Sequence, residues 1–278
     1  MRFDVCFRFA VLLTCALSAN AALAQTEQER QWCEGEDAAT PAQRIEACSS
    51  IIKAAGNEKN EKLAEPFNDR GVAYRLKGDP DRAIQDYSQA IKLNGKFTAA
   101  YINRGVAYDR KGDYDHAISD YDQAIKLKPT AEAYFNRGNA FLGKNQCDHA
   151  IDDFNQALKL KPGFGAVFDN RCWARAVVGI LKPALADCNE ALRRVPGNAA
   201  TRETRGLIYL KMTHFDAAVS DFDAALQIDP KLPFALYGRG LAKLKNEDPA
   251  GQSDLERAKA LQADIAEEYQ RYGIASAR

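Results

Sequence analysis

Six arginines recur along this chain, each followed at a set distance by an aspartate. The arginines are Arg70, Arg104, Arg137, Arg171, Arg205 and Arg239. Asp86, Asp120, Asp153, Asp187 and Asp221 follow the first five by sixteen residues, and Asp254 follows Arg239 by fifteen. A guanidinium and a carboxylate at such spacing have two uses. They can form bidentate ion pairs that tie together the helices of one repeat or of neighbouring repeats. They can instead offer an array of charges to a ligand. The pair persists where the residues around it degenerate, which favours structural ion pairs. Other chemistry is scarce. His116, His149 and His214 have no carboxylate or cysteine at metal-ligand spacing, so they are expected as solvated turn residues, with no metal and no cofactor. There is no glycine-rich phosphate loop and no Gly-x-Ser-x-Gly elbow. No insertion is long enough to break the pattern and build an active site, so no enzyme is expected.

The elements that must carry these pairs follow from the period. Successive arginines are 33 or 34 residues apart, which is the mark of stacked units. In the stretch from Thr98 to Pro129, Ala100, Tyr101, Gly105 and Tyr108 fall at helical spacing. Gly112-Asp113 interrupts, Ala117, Tyr121, Ala124, Ile125 and Leu127 mark a second amphipathic helix, and Pro129 stops it. The result is a hairpin of two antiparallel helices, with the arginine on the first and the aspartate on the second. Gly105, Ala117 and Ala124 let the two backbones approach, while Tyr108 and Tyr121 fill the gaps. One such pair cannot bury both faces alone, so stacking must complete the core.

This pattern resembles the tetratricopeptide repeat family, in which small residues recur at positions 8, 20 and 27 of each unit, aromatics at 11 and 24, and proline at 32. Position 8 is Gly71, Gly105, Gly138, Cys172, Gly206 and Gly240, and position 32 is Pro129, Pro162, Pro196 and Pro230. The resemblance implies an all-α, right-handed superhelical solenoid of antiparallel helix pairs. Its six units span 64–97, 98–130, 131–164, 165–198, 199–232 and 233–266. Residues 25–63 read as a worn first repeat acting as a cap, and 267–278 as a C-terminal cap and tail. Leu255, Ala258, Leu261, Ile265 and Tyr269 form one apolar stripe, so Ser253 to Tyr272 is expected to run as the last second helix into that cap.

The fourth unit departs most from the pattern. Cys172 stands at position 8 and Cys188 at position 24, places that face each other across the hairpin in this family. Cys33 and Cys48 have nearly the same relation in the worn repeat. Disulfides Cys33–Cys48 and Cys172–Cys188 are therefore expected, given a chain sent to an oxidising compartment. Cys147 is left over, and a buried free thiol is favoured over intermolecular pairing.

The export expectation rests on residues 1–24. Arg2 and Arg8 bracket a charged start, Phe9 to Ala19 is an apolar run, and Ala22-Leu23-Ala24 offers small residues for cleavage after Ala24. Nothing later approaches the length of a membrane span. The chain has 38 basic and 38 acidic residues, and that balance argues against nucleic acid as the main partner. A Gram-negative periplasm, or secretion, is the expected location.

Function is then expected on a surface. In the family, first helices line a concave groove that binds peptides, with positions 2, 5, 9 and 12 on one helical face. The groove candidates are Ile102, Val106, Phe135, Asn139, Trp173, Leu207, Phe234 and Tyr237, an apolar lining with aromatic anchors. Asn103, Asn136 and Asn170 at position 6 are expected to hydrogen-bond a partner's backbone. Position 5 holds no lysine, so the carboxylate-gripping residue set of some family members is not matched. The expected role is a non-enzymatic protein-binding scaffold of the cell envelope. The alternatives are a self-associating or structural assembly factor and an accessory subunit of an envelope enzyme.

Overall fold

The computed structural model describes residues 27–35, 39–56 and 61–274. The leader expected at 1–24 and the end of the tail lie outside the described residues. All regular structure described is helical. Helix α1 (27–34) pairs with α2 (Pro41–Ala54), and a 3₁₀ turn at Glu61–Leu63 leads into the regular array. Then come α3 (Ala64–Leu76) with α4 (Pro80–Leu93), α5 (Thr98–Arg110) with α6 (Tyr114–Leu127), and α7 (Ala131–Gly143) with α8 (Cys147–Leu160). They are followed by α9 (Gly165–Val177) with α10 (Leu181–Arg194), α11 (Ala199–Lys211) with α12 (Phe215–Ile228), α13 (Pro233–Lys245) with α14 (Gly251–Leu261), and a short α15 (Ile265–Arg271). The chain forms two compact units, one up to Pro129 and one from Thr130. Within each, a pair's second helix packs on the next pair's first helix, and adjacent first helices also touch, which places them on the inner side of the stack.

Turn chemistry fixes each hairpin. The residue eight places after each repeated arginine takes a left-handed backbone in all six pairs. It is Gly78, Gly112 or Gly179 in three, at φ of +84°, +76° and +83°, and Asn145, Thr213 or Glu247 in the others, at +57° to +62°. Glycine adopts this conformation without steric cost, and asparagine tolerates it better than a β-branched or long side chain does. Asp79, Asp113, Thr130 and Asn198 then cap the following helices, each side chain accepting the amide three residues on.

Inside each pair, a small residue on the first helix faces a large one on the second. A Cβ built on Gly105 would stand 2.6 Å from Tyr121, and one on Gly138 would stand 2.6 Å from Phe154, so neither site has room for even a methyl group. Tyr87, Tyr121, Phe154 and Phe222 are fully buried as a result. In the fourth pair the same two places hold the Cys172–Cys188 bridge, with Cα atoms 5.3 Å apart, and Cys33–Cys48 joins α1 to α2 at 4.8 Å. Cys147 is free and half-buried at the start of α8, where burial pushes its thiol pKa up and keeps it in the less reactive protonated form.

All six arginine–aspartate pairs form. Each guanidinium donates from Nε and Nη2 to both carboxylate oxygens at 2.5–2.8 Å, and the aspartates are nearly buried. A third arm reaches backwards. Nη1 of Arg70, Arg104, Arg171, Arg205 and Arg239 donates to Ser49, Ser88, Asn155, Asn189 and Asp223 on the preceding second helix, at 2.7–3.0 Å. Each of these arginines thus ties its own pair together and also clamps it to the pair before.

The C-terminal end differs from the expected continuous helix. The chain leaves the helix at Gln262, with φ −144° and ψ 106°, in the same way that α12 leaves at Asp229. Leu255, Ala258, Ile265 and Tyr269 are buried in one core cluster, while Leu261, at the break, is exposed. Helix α15 folds onto α13 and places Tyr269 against Phe234 and Tyr237, with ring centroids 4.5 and 4.9 Å apart.

Candidate protein-binding face

In the first unit, Ile102, Asn103 and Val106 lie half-buried on α5. Asn103 donates from Nδ2 to Asn68 Oδ1 at 2.8 Å, so its amide links adjacent first helices rather than waiting open for a partner. The second unit repeats the device, with Asn170 Nδ2 donating to Asn139 Oδ1 at 2.6 Å. Asn136 is half-buried on α7. Phe135 is half-buried too, with its ring 4.9 Å from Phe164 and 6.1 Å from Phe154, and works largely as core.

Two expected groove residues are not accessible. Leu207 is 0% exposed and Tyr237 2%, both inside the core cluster of the last two pairs and α15. Neighbouring helices pack over Leu207, and Tyr269 of α15 packs on Tyr237 with ring centroids 4.9 Å apart. The histidines also differ in detail from plain solvated residues. His116 and His149 are exposed but stack on Tyr108 and Phe141 of the preceding helices, at 5.0 and 5.1 Å.

One opening of the second unit is a cavity of about 400 Å³ between α7, α9, α11 and α13, lined by Leu142, Asp169, Asn170, Trp173, Ala200, Glu203, Thr204, Phe234 and Glu268. Trp173 and Phe234 form its aromatic wall. Tyr272, just past α15, stands edge-on to Trp173 at 5.0 Å, and the Tyr269 hydroxyl donates to the Phe234 carbonyl at 2.7 Å, so α15 fixes this wall from one side. Thr204 and Glu268 were not anticipated. Glu268 comes from the C-terminal cap, and no repeat position announces it.

Three carboxylates converge on the cavity. Asp169 accepts the Thr201 hydroxyl, and Glu268 accepts the Gln262 amide at 2.9 Å. Glu203 Oε1 is buried with no hydrogen-bond partner. Burial raises the Glu203 carboxyl to about 7, reinforced by the charges of Asp229 and Glu268, while the Ala235 backbone amide pulls the other way. Its folded pKa thus lies above the ordinary value, so the folded chain holds this proton more tightly than the unfolded one. The group's contribution is most favourable below about pH 4.5, declines as pH rises towards 7, and stays low above that. Glu203→Gln is therefore expected to raise stability at pH 8 by about 1–3 kcal/mol, after allowance for partial exposure, and to leave it unchanged near pH 4.5. Urea titrations at the two pH values check this, and equal effects at both would contradict it.

Among the described residues no group of three histidine, cysteine, aspartate or glutamate side chains gathers as metal ligands, and no helix is long and apolar enough to cross a membrane.

A family model for the tetratricopeptide repeat matches residues 64–97, 98–130 and 131–164, and a second model of the same repeat matches 200–232. No curated protein matches the chain in sequence at a significant level. Among solved structures, YrrB, described as a TPR protein with an unusual peptide-binding site, aligns at a TM-score of 0.61 and 21% identity, over 70% of this chain and 98% of its own. PilW, described as a widely conserved type IV pilus biogenesis factor, aligns at 0.63 and 18% identity, over 76% and 99%. PilF of Pseudomonas aeruginosa aligns at 0.63 and 16% identity, over 78% and 99%. At these identities the likeness is one of fold.

Proposed function

Because the chain belongs to the tetratricopeptide repeat proteins, whose paired helices serve as protein-interaction scaffolds, we propose that it is a non-enzymatic scaffold that docks a partner segment on the inner face of its second unit. The carrying observation is the Trp173–Phe234 cavity, an opening on that face with an aromatic wall held in place by α15. Large rings already fixed in their rotamers lose little entropy on binding, which suits them as anchors. YrrB, a protein of the same fold, is described as having a peptide-binding site, which makes a peptide segment the natural occupant to test.

The proposed location is the cell envelope, with the Gram-negative periplasm as the specific reading. Support comes from the leader-like residues 1–24 and from the two cystine bridges, which persist in oxidising compartments. A pilus biogenesis factor has the same fold, though the likeness to it carries no role across.

Affinity capture from the envelope fraction of the producing cells tests the docking face. Wild type is expected to retain a partner that Trp173→Ala loses, with circular dichroism showing equal helix content in both. If the variant kept every partner, the face would be the wrong one.

A further inference from the structure

The cavity's charge and its rings point to one kind of occupant. It is walled by Trp173 and Phe234 and carries the carboxyl groups of Asp169, Glu203 and Glu268, with no lysine or arginine in its lining. None of the three carboxylates pairs with a basic side chain among the described residues. Asp169 and Glu268 have neutral donors, and Glu203 Oε1 has none. A purely apolar occupant would cover these carboxyl groups without offering them an opposite charge, which is costly. An anionic one would meet the like charges of Asp169 and Glu268. A cation would supply the opposite charge that the lining lacks, and the aromatic faces beside it favour a cation over a neutral group of the same size.

We propose that this cavity takes one lysine or arginine side chain from the bound segment, its charged head on Glu203 and Glu268 and its methylene stem along Trp173 and Phe234. The stem fits the apolar part of the lining and the head fits the carboxylates, the division such side chains use on partly apolar surfaces. This rests on the docking reading above and adds to it the chemistry of the anchor.

A random peptide library displayed on phage and panned against the full chain tests both in one design. The expected result is a family of enriched peptides sharing a basic residue flanked by apolar ones. A synthetic peptide from that family, titrated while tryptophan fluorescence is followed, is expected to bind Glu203→Gln about tenfold more weakly than wild type. The same peptide with norleucine in place of its basic residue is expected to bind wild type about tenfold more weakly, a loss that does not depend on any variant folding. Enriched peptides without a basic residue, or equal binding by wild type and Glu203→Gln, would overturn the cation anchor and leave the docking face standing. Failure to enrich any peptide would overturn both.

Discussion

Asp187→Ala is expected to lower stability by about 3–5 kcal/mol, the cost of removing one partner from a buried ion pair. Asp187 is one of the carboxylates of the ladder that accept a third hydrogen bond from a second cation. Its Oδ1 and Oδ2 accept from Arg171 at 2.6 and 2.8 Å, and Oδ2 also accepts from Arg175 Nη1 at 2.6 Å. Only 5% of its side chain is exposed, and the two guanidiniums are 13% and 17% exposed. Without the carboxylate, both cations stay largely desolvated beside each other. Arg171 would keep only its link to Asn155 on the preceding helix. The exposed pair of Arg193 with Glu190 provides the contrast, because Arg193→Ala is expected to leave stability nearly unchanged. Urea unfolding followed by circular dichroism separates the two. An Asp187→Ala midpoint matching that of Arg193→Ala would show that the ladder does not hold the pairs together.

Loss of the Cys172–Cys188 bridge is expected to cost about 3 kcal/mol, the chain-entropy value for a loop of this length. The bridge replaces a packing device that the other pairs use. Where Gly71, Gly105, Gly138 and Gly206 make room for an aromatic ring, Cys172 and Cys188 fill the same space covalently. Both cysteines are fully buried beside Ala176, Ala184 and Ile208. Cys172→Ala with Cys188→Ala therefore removes the cross-link and leaves the space underfilled. Cys172→Gly with Cys188→Phe restores the glycine–aromatic arrangement and is expected to recover the packing part of the loss, while the cross-link's own share stays lost. Thermal melts of the two double variants against oxidised wild type decide the matter. Equal losses in both variants would mean that volume is not what the bridge replaces.

The architecture was legible because the period is enforced by contacts that tolerate few residue types. Gly105 must be glycine because Tyr121 stands 2.6 Å from where its Cβ would be, and Gly112 is favoured because its φ is positive. Asp254 was legible even one residue out of step, because only a carboxylate satisfies both arms of Arg239. The third arm of the ladder was harder to see. Ser49, Ser88, Asn155, Asn189 and Asp223 share only the ability to accept a hydrogen bond, and no single residue type marks the place.

The site was legible in part. Trp173, Asn170 and Phe234 were placed on the inner face by helical spacing, and they do line the cavity. Leu207 and Tyr237 had the same spacing but are buried, and Tyr237 is covered by a non-local element. That element is α15, which ends up against α13 because Ile265 and Tyr269 find apolar surface there. Periodicity has no term for a segment that leaves the repeat, so Glu268 and the Tyr272–Trp173 contact could not be read from it.

Hydrogen exchange of the full chain with and without its captured partner tests the docking face most directly. Binding there is expected to slow exchange in α9, α11, α13 and α15, where the cavity wall and its support lie, while the outer helices α10 and α12 change little. Protection concentrated in α10 and α12, with α9, α11 and α13 exchanging as in the free chain, would contradict the inner face of the second unit as the binding surface.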